Sequence, residues 1–246
     1  MRSLARPISA SVGAVLSATL LAGCTDHVVI EPSAESSDRE PVDIVIDSDE
    51  TDQVVLGEIY RQILAREGHE ATVVKEDLYQ THGDKGRSFT PAGNFYVGCT
   101  GDFLNYLNPS EARDISREYK KSVSDSQVGG EDFLARTHIA LMSALPTDLA
   151  TVEPSGAYGC EDAQPELPEN FVVLYRKGLF DREEENAFAS LTKFITQKDL
   201  SDLAEDAKDT GSVEKAVREW MKSPGGTVVE GEGDSASTGG SDLTSS

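Results

Sequence analysis

The tetrapeptide Leu21-Ala22-Gly23-Cys24 carries the most specific chemistry in this chain of 246 residues. Arg2 and Arg6 precede an apolar run from Ile8 to Leu21, and small residues then lead to a thiol. A basic start, an apolar core and a small-residue cleavage site make a secretory signal over residues 1–23. The segment is too short, and lacks the flanks, to span a membrane. Leu-Ala-Gly-Cys is the lipidation pattern of bacterial lipoproteins, so Cys24 is expected to be diacylated and to begin the mature chain. Two acyl chains hold a protein stably on a bilayer, where one does not. Cys99 and Cys160 then sit in an oxidising compartment, where a disulfide is the default. A metal pair is the alternative, but it lacks nearby His or Cys partners.

Two further places have the right residue types for a ligand. One is the polar turn from Asp47 to Gln53; the other is Thr100-Gly101, which falls at the start of a helical pattern. Asp47-x-Asp49-x-Thr51, with Glu58 at the twelfth position, superficially matches a calcium loop. That loop needs Gly at its sixth position, and Asp52 stands there, so no metal is expected. There is no nucleophile elbow, H-E-x-x-H, phosphate loop or dinucleotide fingerprint. No catalytic residue and no cofactor are expected, and the chain does not read as an enzyme. Of the four histidines, His27 lies in the spacer, His69 and His82 read as exposed turn residues, and His138 as a core residue.

Charge narrows the partners. Losing residues 1–23 removes Arg2 and Arg6, leaving 20 Lys and Arg (22 less two) against 44 Asp and Glu, a formal charge of −24. Nucleic acid and anionic lipid surfaces are excluded as electrostatic partners. An acidic exterior keeps an exported protein soluble.

The elements that position these groups begin at Pro41. Asp43-Ile44-Val45-Ile46 is a short β-branched run, as in a strand buried on both faces. Ser48, Asp49 and Thr51 can accept from free backbone N–H groups, so a helix can start there. Val55, Leu56, Ile59, Ile63 and Leu64 recur at helical spacing, and Gly68 stands where a left-handed cap is wanted. Ala71, Val73 and Val74 form a second strand. Strands joined by one helix lie parallel with a right-handed crossover. Ligands of such sheets sit beyond the carboxyl ends of the strands, which singles out Asp47 to Gln53.

The stretch Ile44 to Val74 resembles the opening of the glycine betaine, carnitine and choline-binding proteins of ABC importers. The match lies in Ser48, Gln53 and Leu56-Gly57-Glu58-Ile59-Tyr60. Tyr96-Val97-Gly98-Cys99-Thr100-Gly101 is similar to the family's Y-P-E-Y-T-G, with Cys99 in place of its second Tyr. Asn94 stands where the family usually has an acidic residue. The run from Val172 to Met221 is a third similarity. The resemblance implies a type II periplasmic-binding-protein lobe, α/β with a mostly parallel sheet. Only about 65 residues separate Tyr106 from Val172, so the second lobe is expected to be reduced. It also implies a solute-binding lipoprotein with an ABC permease as partner and a small quaternary amine as ligand. Such a cation is held by aromatic faces, each worth about 0.5–2 kcal/mol. Ser48, Gln53, Tyr96 and Thr100 are the contacts that carry over. The alternative is a non-transporting lipoprotein whose lobe is structural or binds a protein.

Residues 24–41 read as a flexible spacer, 42–222 as the folded domain, and 223–246 as a disordered acidic Gly/Ser tail. Glu76 to Gly93 is polar, without a helical stripe. Phe95 to Cys99 is a strand, with Thr100 as the cap of the next helix. Pro109 opens another helix with Ala112, Ile115, Tyr119 and Val123 on one side. His138 to Leu145 reads as a buried strand, and Phe171 to Tyr175 as another. Asp181-x-x-Glu184 has the form of a capping box, and Thr196 and Ser212 cap the last two helices.

Overall fold

The computed structural model describes residues 39–47, 50–76, 92–124, 131–223 and 226. The signal segment with Cys24, Ser48, His27, His82 and the acidic tail lie outside the described residues. The expected strand, helix and second strand form between Val42 and Lys75, but the helix cap is Glu50, which makes no side-chain capping bond, and Thr51 is the first helical residue. β1 (Val42–Ile46) leads to α1 (Thr51–Arg66), which buries Val55, Leu56, Ile59, Ile63 and Leu64. Gly68 follows with φ +90°, a left-handed conformation that an L side chain resists. β2 (Ala71–Lys75) then lies parallel to β1, with Val42 opposite Ala71.

β3 (Phe95–Cys99) runs parallel to β1 on its other side. The chain continues through α2 (Thr100–Leu107), α3 (Pro109–Ser124) and α4 (Phe133–Ala144) to the short β4 (Leu149–Thr151). β5 (Phe171–Arg176) inserts between β3 and β4 and is antiparallel to both. Then come α5 (Arg182–Phe194), α6 (Gln197–Thr210) and α7 (Val213–Trp220). The sheet order is β2-β1-β3-β5-β4. Four strands run one way and β5 opposes them, so the expected mostly parallel α/β sheet is a mixed one.

Alternation of side chains along each strand builds a core on both faces. Ile44, Ile46, Phe95, Val97, Phe171, Val173 and Tyr175 join α1, α5, α6 and α7 in the larger core. Val45, Tyr96, Val172 and Leu174 face the other way, against α2, α3 and α4. This second layer corrects the expectation of a reduced second lobe. Among the described residues, the segment from Asn108 to Asn170 covers the free face of the same sheet and extends its edge.

The run His138 to Leu145, expected as a strand, is the second half of α4 up to Ala144, with Leu145 at its C-cap. Asp132 caps that helix by accepting from the Ala135 N–H at 3.0 Å. Only one stripe is needed inside: Thr137 and Leu141 are buried, while Ile139 is 58% exposed. The three downstream caps at Asp181, Thr196 and Ser212 are present, the first two as full capping boxes. Thr100, expected as a cap, is instead the first helical residue, and Cys99 is the cap position.

The end of the spacer is docked rather than free. Arg39 pairs with Glu184 and also donates to the Glu67 carbonyl at 2.6 Å. Glu40 pairs with Arg176, and the Pro41 carbonyl accepts from Asn94 Nδ2 at 2.9 Å. Asn94 Oδ1 in turn accepts from the Asp43 N–H at 2.9 Å. Asn94 thus fixes the entry to β1. His69, expected in the open, is buried at 5% exposure with Nε2 3.0 Å from Glu184 Oε1. The partner lies 115 residues further on, which takes the imidazole out of water.

Candidate functional site at the carboxyl ends of the strands

Gln53 and Thr100 lie in the first turns of the helices α1 and α2, which follow the carboxyl ends of β1 and β3, where an α/β sheet places a ligand. Both are buried and already engaged within the protein. Gln53 Oε1 accepts from the Asp47 N–H at 3.0 Å, and its Nε2 donates to Cys160 Sγ at 3.6 Å. Cys160 is bonded to Cys99, with S–S 2.01 Å and Cα–Cα 6.3 Å. Thr100 donates to the Asn170 carbonyl twice, from its N–H at 2.9 Å and from Oγ1 at 2.8 Å. Gln53 thus reaches the disulfide, while Thr100, next to Cys99 in the chain, is tied to Asn170.

Tyr96 does not join them. It lies on the opposite face of the sheet from Gln53, and its hydroxyl donates to the Gly93 carbonyl at 2.6 Å. Gly93 precedes the strand, so the ring reaches back toward the amino end. Burial first, then the Asp148 carboxylate, raises the Tyr96 hydroxyl above its usual pKa. Ser48, the fourth expected contact, lies outside the described residues.

Sequence reasoning missed Glu169. Its Oε2 accepts from the Asp102 N–H at 3.1 Å, at the first turn of α2. The half charge of a helix N-terminus favours an anion there. The ligand place expected at Thr100-Gly101 is thus filled by the protein's own carboxyl. Gly101 makes room for it: a Cβ at that position would stand 2.5 Å from Glu169 Oε1. Oε1 itself is buried beside the Gly101 backbone without a well-formed hydrogen bond. Burial first, then the Asp102 carboxylate, pushes the Glu169 carboxyl up to about 9. No local signal in the sequence points to Glu169, whose partner is 67 residues away.

The segment that carries Glu169 is stitched in place. The Gly159 N–H donates to the Glu169 carbonyl at 2.9 Å, and Asn170 Nδ2 donates to the Ser155 carbonyl at 2.9 Å. Asn105 Nδ2 reaches the Gln164 carbonyl at 2.8 Å, and Leu167 is buried in the second core. Around the disulfide the surface is acidic. Burial first, then Asp47, Asp52, Asp162 and Glu161, raises the Glu50 carboxyl above the usual carboxylate range.

The aromatic side chains gather elsewhere. Tyr60, Phe95, Tyr175, Phe180 and Phe188 pack with ring centroids 5.0–5.9 Å apart at the amino end of β3. They fill one another's faces and leave no cage for a cation. An open groove of about 620 Å³ between the start of α1 and α6 is lined by Thr51, Asp52, Ser201, Glu205, Lys208 and Asp209; it takes in two residues of the expected Asp47–Gln53 turn but none of the four named contacts. Among the described residues no cluster of His, Cys, Asp or Glu fits a metal, and no helix is long and apolar enough to cross a membrane. No family model, no curated protein and no solved structure matches the chain.

Proposed function

We propose that the chain is a lipid-anchored extracytoplasmic protein, built on one lobe of the type II periplasmic-binding-protein kind, that works as a structural or protein-binding module. The observation that carries this reading is the filled site. Glu169 occupies the anion position of α2, and Gln53 and Thr100 spend their polar atoms on the protein itself. An occupied, buried position leaves a ligand no partner without displacing a side chain. The motifs shared with the glycine betaine and choline-binding family, and the sheet of which four strands run one way, support the choice of lobe. Leu21-Ala22-Gly23-Cys24 supports the anchor. Substituting Cys24→Ser is expected to move the protein from the membrane fraction to the soluble one; retention on the membrane would remove the anchor from the reading.

The second reading is the solute-binding component of an ABC importer for a quaternary amine, working with a permease. Gln53 and Thr100, in the first turns after β1 and β3, favour it. Calorimetric titration with glycine betaine, choline, carnitine and proline betaine separates the two. The purified, folded chain is expected to give no binding heat with any of them. Micromolar binding of one would replace the first reading by the second.

A further inference from the structure

The open groove runs along α6 from Ser201 to Asp209, with Thr51 and Asp52 of α1 as its other wall. Three carboxylates line it, Asp52, Glu205 and Asp209, against one cation, Lys208. Among the described residues none of these four is in an ion pair, whereas close by Lys198 is paired with Asp202 and Arg218 with Glu214. Glu50 stands within electrostatic reach of Asp52, Asp162 and Glu161, so the negative potential extends from Asp52 toward the disulfide. Charge of one sign in a concave surface concentrates the field and draws in the opposite charge.

At one end the groove meets two exposed rings. Gln197, the first residue of α6, donates from Nε2 to Asp52 Oδ2 at 3.2 Å and accepts from the Tyr158 N–H at 3.0 Å. One side chain thus joins Tyr158 to the groove wall. The Tyr158 backbone is held a second time by a bridge to Asn170, yet the residue is 53% exposed. Phe194, three residues before Gln197, is 41% exposed and has the Lys193 ammonium 6.0 Å from its ring centroid. A ring on fixed backbone gives up little entropy on contact, and tyrosine and arginine are enriched among the residues that dominate interfaces. Aromatic faces attract cations, arginine more often than lysine.

Charge and geometry leave one kind of occupant. Nucleic acid and anionic lipid are repelled, and a second copy brings the same formal charge of −22. Among the described residues no cluster of His, Cys, Asp or Glu fits a metal ion. From Gln197 to Asp209 α6 rises about 18 Å, the length of about five to six extended residues. We propose that the groove between the start of α1 and α6, with Tyr158 and Phe194 at its Gln197 end, docks an extended, arginine-bearing segment of a partner protein. This gives the protein-binding reading above, on which it rests, a partner of stated chemistry.

Fluorescence anisotropy of labelled hexa-arginine with the purified full chain, at low ionic strength, tests the groove. Binding is expected, tighter than for hexalysine, and weakened about fivefold by Tyr158→Ala or by Phe194→Ala. Both rings are exposed, and circular dichroism checks each fold, so either variant serves if the other fails to fold. Glu205→Gln combined with Asp209→Asn is expected to weaken binding about fivefold as well. Glu67→Gln combined with Glu70→Gln removes the same two charges just ahead of β2 and is expected to leave the affinity unchanged. Equal weakening by the two pairs would show diffuse attraction and overturn the groove; equal affinity for hexalysine would overturn the arginine contact. Release of the peptide by calcium but not by sodium at matched ionic strength would assign the groove to a metal cation instead. No peptide binding by a folded chain that is also silent toward quaternary amines overturns the basic segment and leaves the protein-binding reading standing. Binding of a quaternary amine overturns that reading itself.

Discussion

Replacing Phe188 by alanine lowers stability by about 3–5 kcal/mol. Phe188 is fully buried on α5, and its ring meets Phe95 of β3, Tyr175 of β5 and Phe180 at centroid distances of 5.6, 5.1 and 5.0 Å. All three contacts are edge-on, the arrangement that the aromatic quadrupole favours. The ring thus joins a C-terminal helix to two strands from different parts of the chain. Alanine there opens a cavity that three rigid rings cannot close, and the cavity cost adds to the lost transfer energy. For a domain of this size the loss corresponds to a fall in Tm of roughly 10 °C. Phe194, on the same helix but 41% exposed, serves as the control and is expected to cost far less as alanine. Urea unfolding followed by circular dichroism measures both. A loss below about 1 kcal/mol for Phe188→Ala would mean that the aromatic cluster does not hold α5 to the sheet.

Breaking the Cys99–Cys160 bond by a paired Ser substitution is expected to cost about 4 kcal/mol in the chain-entropy model. The two residues are 61 apart in sequence, and α2, α3, α4 and β4 all lie within the loop that they close. The covalent link keeps that whole second layer near the sheet in the unfolded chain. The effect is also local, because Gln53 loses its sulfur partner and the Glu169 segment loses one fixed end. Cys160 has φ 51°, a conformation costly for a residue with a side chain, so removing the bond also removes what holds it there. Thermal unfolding with and without a dithiol reductant, compared with the Ser pair, measures the loss. Unchanged Tm in all three samples would show that the two layers stay together without the link.

The elements that could be read from the sequence are those whose cause is local. The β1–α1–β2 unit follows from a β-branched run, an apolar stripe and one glycine. The capping boxes at Asp181 and Thr196 join residues three apart, within reach of sequence spacing. α4 was misread because an apolar run of eight residues satisfies either period; Asp132, six residues before it, was the distinguishing mark. The geometry of parallel strands placed two of the four expected contacts, Gln53 and Thr100, near the carboxyl ends of β1 and β3, where both are engaged within the protein. Tyr96 went to the other face because motif similarity says nothing of which way a strand residue points. Glu169, Asn170 and the His69–Glu184 pair were invisible for a different reason. Their partners are 67, 70 and 115 residues away, and neither period nor spacing reports such contacts.

The docking of Arg39, Glu40 and Pro41 ahead of β1 bears on how this protein carries mechanical load. A pull applied ahead of Arg39 first meets the pairs with Glu184 and Arg176 and the Asn94 clasp, spread over three anchor points. Only after these yield does force reach Val42. β1 then lies between two strands that run in its own direction, so tension along it strains both ladders in shear. Bonds loaded in shear share the force, whereas bonds at a peeled edge fail one by one.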